Sequence, residues 1–72
     1  MVDDSRIDEL SKTSMYGSFI WKQAARFLDA YGFSDKDADA VLKGAHANRF
    51  NPLTFASGAV KLRQHIGKGL PL

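Results

Sequence analysis

The stretch LDAYGFSDKDADAVL, residues 28–42, stops one helix and starts the next. Gly32 fits the left-handed position that closes a helix. Ser34 then serves as an N-cap. Asp37 stands three residues on, a shorter stand-in for the Glu of a capping box, and Phe33 and Ala38 are spaced as a hydrophobic staple. Asp35, Asp37 and Asp39 crowd the first turns, where the helix dipole favours negative charge. The joint defines two consecutive helices, 18–31 and 34–47.

Working outward, Ser18 is the expected cap of the first of these. At about 100° per residue, Ile20, Ala24, Phe27, Leu28 and Tyr31 share a face that Trp21 and Ala25 extend, and Phe19 falls among the polar residues opposite. Ala38, Val41, Leu42 and Ala45 form the inner stripe of the second. Upstream, residues 4–13 make a short helix capped by Asp4 or Ser5, with Ile7 and Leu10 inward. Downstream, Asn51 as cap and Pro52 at the first position open a helix over 52–66. Gly67 is its expected stop, leaving 67–72 as a flexible tail. No segment alternates as a strand would. The expected fold is one all-α domain over 1–66: three main helices plus a short N-terminal helix.

The last helix reads ambiguously. Phe55, Ala59, Leu62 and Ile66 form a clean core stripe, yet Leu53, Ala56 and Val60 make a second apolar strip roughly 130° away. A helix apolar on two sides is either sandwiched in a core or shared with a partner, here including a second copy in a homodimer through Leu53/Ala56/Val60. Gly58 inside it costs about 1 kcal/mol relative to alanine and suggests close packing.

Charge is divided along the chain. All eight carboxylates lie in residues 1–40 beside five cations; Lys43, Arg49, Lys61, Arg63 and Lys68 follow with no acid. The net charge of +2 therefore conceals an acidic half and a basic half. A one-signed end attracts an oppositely charged partner or pairs with the rest of the chain. With 72 residues the core is small. The absence of cysteine and of a long apolar run fits a cytoplasmic protein without disulfides or a membrane span.

Chemistry is sparse. His46 and His65 are two ligands at most, too few for a zinc site, so no metal and no cofactor is expected. Ala56-Ser57-Gly58-Ala59 lacks the context of a nucleophile elbow. The carboxylates are explained by capping. Gly67-Lys68-Gly69 follows a helix rather than a strand, the wrong setting for a phosphate cradle. The expectation is a protein that is not an enzyme.

Leu28, Tyr31-Gly32-Phe33-Ser34, Ala38 and Val41-Leu42 resemble the first loop of ubiquitin-associated domains, which carry a Gly-Phe loop between their first two helices. The resemblance covers residues 28–42. It implies a three-helix unit over 18–66 whose loop and final helix bind ubiquitin through apolar contacts. Tyr31 stands where methionine is more usual there, and the connection from Gly44 to Asn51 is long for that fold.

The functional expectation is a small adaptor or inhibitor that docks on a larger protein with an acidic surface. Phe19, Trp21, Leu53 and Val60 supply apolar contacts, and Lys61, Arg63 and Lys68 supply orientation and on-rate. The alternative is nucleic-acid binding through Arg49, Lys61, Arg63, Gln64, His65 and Lys68. Helix 34–47 is a poor recognition helix, because Asp35, Asp37 and Asp39 at its start would repel phosphates.

Overall fold

A computed structural model describes the backbone of residues 1–69 and the side chains of residues 1–66. These residues form α1 (Asp4–Lys12), α2 (Ser18–Ala30), α3 (Asp35–Ala47) and α4 (Pro52–Gly69), with no strand among them. The all-α expectation, three main helices and a short first one, holds. The central element is α2: α1, α3 and α4 all pack against it, and α4 also packs on α3.

Local chemistry sets the helix ends. Tyr31 caps α2, and Gly32 turns left-handed at φ 81°. The Phe33 backbone N–H then donates to the Leu28 carbonyl at 3.0 Å, closing the helix end. Ser34 Oγ accepts from the Asp37 N–H at 3.1 Å, and Asn51 Oδ1 accepts from the Leu53 N–H at 2.9 Å. Two caps differ from expectation. Asp3, not Asp4 or Ser5, caps α1 through its carboxylate. Gly17 precedes α2 without a side-chain cap, and Ser18 is already helical.

The far end of α4 is a correction. The helix does not stop at Gly67 but runs through Gly69. Glycine ends a helix by turning left-handed, and here residue 67 keeps helical geometry. Residues 70–72 of the expected tail lie outside the described residues.

Trp21, Leu28, Leu42 and Ile7 are fully buried and fill the space between the helices. Ala24 and Ala25 of α2, Ala38 and Ala45 of α3 and Ala56 of α4 are buried with them. Small side chains at a crossing let helix axes approach closely, and the large ones fill the gaps beside it. This geometry decides the ambiguity of α4. Pro52, Ala56 and Val60 face inward, with Leu53 half-buried beside them. Two of the three residues read as a dimer seam, Ala56 and Val60, are therefore core. The stripe read as core is divided: Phe55 and Ala59 are half-buried, with Phe55 packed against the core, whereas Leu62 is 60% and Ile66 49% exposed.

Polar ties join the acidic half to itself. Arg6 Nε donates to Asp39 Oδ1 at 3.0 Å, fastening α1 to α3. The Met1 ammonium lies 2.6 Å from the Asp35 carboxylate, and that hydrogen bond holds its pKa above the ordinary value.

Candidate interaction surface on the last helix

The residues expected to meet a partner separate sharply. Trp21 is wholly buried and Val60 nearly so, so neither is a surface anchor. Trp21 Nε1 has no hydrogen-bond partner among the described residues, and its ring lies tilted against that of His46. Phe19 is 70% exposed, as its position among polar residues implied. Leu53 is half-buried and borders a shallow dent with Gln23, Arg26 and Phe27. These four residues do not come together in one surface.

A different set does. Tyr16, Phe50, Phe55, Gly58, Ala59 and Leu62 line an open, mostly apolar groove of about 640 Å³ along α4. Ala59 and Leu62 also border the adjoining hollow, where Phe33, Asp37, Arg63 and Ile66 continue the surface. Phe50 and Phe55 stack with ring centroids 5.7 Å apart, forming one wall. Gly44 makes room for Phe55: a methyl group there would sit 3.2 Å from its ring. At the other end the Arg63 guanidinium lies 4.3 Å from the centre of the Phe33 ring, a cation–π contact. Phe33 itself is buried. In the Gly-Phe loop that resembles ubiquitin-associated domains, Phe33 thus packs against the core, while Tyr31 is 52% exposed.

From Lys61 to Ile66 every side chain of α4 is exposed. By helical arithmetic of about 100° per residue, Arg63 flanks the Leu62/Ile66 strip on one side, with Lys61 and His65 on the other. Lys43 pairs with Asp39 at 3.8 Å; Arg49, Lys61 and Arg63 make no ion pair among the described residues. Of the described cations in the basic half, only Lys43 is therefore paired with the acidic half. Arg49, Gln64 and His65 are also exposed or border the surface, whereas the side chain of Lys68 lies outside the described residues.

A more polar hollow of about 480 Å³ lies between the α1–α2 connection and the end of α3. Thr13 Oγ1 and His46 Nε2 share a 2.6 Å hydrogen bond there. Among the described residues, no three His, Asp or Glu side chains gather as a metal site, and no helix is long and apolar enough to cross a membrane.

Sequence reasoning missed Phe50, Leu62 and Ile66 as exposed residues of this surface. The available signal was size: the small face of α4 (Pro52, Ala56, Val60) suits a tight crossing better than the face carrying Phe55, Leu62 and Ile66. No protein-family model, curated protein or solved structure matches the chain.

Proposed function

We propose that this protein is a small, non-catalytic interaction module that docks on an acidic protein partner through the outer face of α4 and Phe50. One observation carries the reading: the end of α4 exposes Leu62 and Ile66 between Lys61 and Arg63, which make no ion pair among the described residues. The side chains of this end are exposed apart from the contact of Arg63 with Phe33, so a bound partner would stabilise it. Apolar contacts would supply affinity, and Lys61, Arg63 and Arg49 would steer an acidic surface into place.

The test is comparative capture on immobilised wild-type protein and on Leu62→Glu, with helicity checked for both. The expected result is a protein retained by wild type, lost with Leu62→Glu, released by salt and indifferent to nuclease. Retention unchanged by Leu62→Glu would place the interface elsewhere.

The second reading is nucleic-acid binding. Its support is that Arg49, Lys61, Arg63, Gln64 and His65 are all exposed. Against it, Leu62 and Ile66 occupy the middle of the same face, where a phosphate backbone gains nothing from apolar side chains. Anisotropy of labelled duplex and single-stranded DNA at two salt concentrations separates the readings; steeply salt-dependent binding would favour nucleic acid.

A further inference from the structure

We infer that the α4 groove receives an amphipathic helix of the partner, acidic along its flanks, whose backbone crosses α4 over Gly58. This rests on the reading of α4 as a docking face for an acidic protein.

Gly58 provides the first argument. A glycine inside a helix destabilises it relative to alanine, through backbone entropy. At Gly44 the Phe55 ring explains the missing Cβ, but a Cβ at Gly58 would meet nothing within 4 Å. Packing within the chain therefore does not account for glycine here. Gly58 is exposed and lines the groove. A second backbone passing close over this point is what the missing Cβ permits.

The shape of the groove provides the second. Phe55, Leu62 and Ile66 mark one face of α4 over about three turns, roughly 16 Å at 1.5 Å per residue. Such a row matches the i, i+4, i+7 anchors of a helix laid in a groove. An extended peptide would instead need an open strand edge to bond to, and the described residues contain no strand.

Charge selects the occupant. Arg63 borders the adjoining hollow, which Asp37 also lines, Lys61 lies on the opposite flank of the strip by helical spacing, and α4 itself contains no acid. A partner helix with Asp or Glu on both flanks matches these cations. A second copy of α4 would bring like charges together.

The test is selection of two displayed peptide libraries against the full chain, one built on a helical scaffold and one interrupted by proline. The expected result is enrichment of helical sequences with apolar residues at i, i+4 and i+7 and acids beside them. Gly58→Ala should raise the Tm of the free protein yet weaken the selected peptides about tenfold, a loss of about 1.4 kcal/mol. A merely structural glycine would not separate these two readouts. Unchanged affinity in Gly58→Ala, or equal binding of proline-interrupted acidic peptides, overturns the helix while leaving the acidic docking face standing. Selected peptides without acids, or indifferent to Leu62→Glu, overturn both. Sedimentation showing a dimer that Leu62→Glu dissociates would assign the face to a second copy, and duplex DNA displacing the peptides would assign it to nucleic acid; either result overturns the inference.

Discussion

Phe50 and Phe55 stack across the α3–α4 connection, their rings 20° from parallel, and Phe55 packs its edge where Gly44 has no side chain. The pair couples the wall of the groove to the core. A side chain at residue 44 must displace the Phe55 ring, and the ring is held on its other face by Phe50. Gly44→Leu is therefore expected to destabilise the fold by about 1–3 kcal/mol, the usual cost of overpacking. Urea unfolding followed by circular dichroism measures it, and a variant as stable as wild type would show that Phe55 moves freely.

Trp21 and Phe19 are two residues apart and do opposite things. Trp21 is wholly buried, whereas Phe19 is 70% exposed. Trp21→Ala should cost about 3–5 kcal/mol, enough to unfold a domain with so small a core. Phe19→Ala should shift stability by no more than about 0.5 kcal/mol. Thermal melts of the two variants suffice, and equal losses would contradict the packing described.

Val60 and Leu62 test which face of α4 is inside. Val60→Ala removes two buried methyl groups and should cost about 2 kcal/mol. Leu62→Ser, at an exposed position, should stay within about 0.5 kcal/mol. The reverse order would restore the Phe55/Ala59/Leu62/Ile66 stripe to the core.

Arg49 holds a left-handed backbone, φ 57°, one residue past the cap of α3. The Phe50 N–H bond to the Ala45 carbonyl, 3.0 Å, keeps it there. Only glycine takes this conformation without a steric penalty. Arg49→Gly should therefore stabilise the protein by about 1 kcal/mol while removing one cation from the basic surface. A rise in the urea midpoint is the expected readout, and a fall would mean that the Arg49 side chain contributes more than its backbone strain costs.

The sequence by itself determined the four helices and the joints between them. Gly32, Ser34, Asn51 and Pro52 act through bonds and backbone angles within a few residues, so their effect needs no knowledge of the rest of the chain. The fates of Ala24, Ala38, Leu28 and Leu42 were legible for the same reason, since each lies on a helix with one apolar face. Tertiary structure alone decided which face of α4 turned inward. Both faces are apolar, and hydrophobicity does not rank them. The choice follows from the space left beside α2 and α3 once Trp21, Leu28 and Leu42 fill it: a close crossing admits Pro52, Ala56 and Val60, takes Phe55 only at its edge beside Gly44, and leaves Leu62 and Ile66 exposed. Trp21 was misread for a related reason. Helical spacing put it at the edge of the α2 face, but three helices converge on α2 and bury the edge as well. The candidate site, being what the packing left outside, became visible only when the packing did.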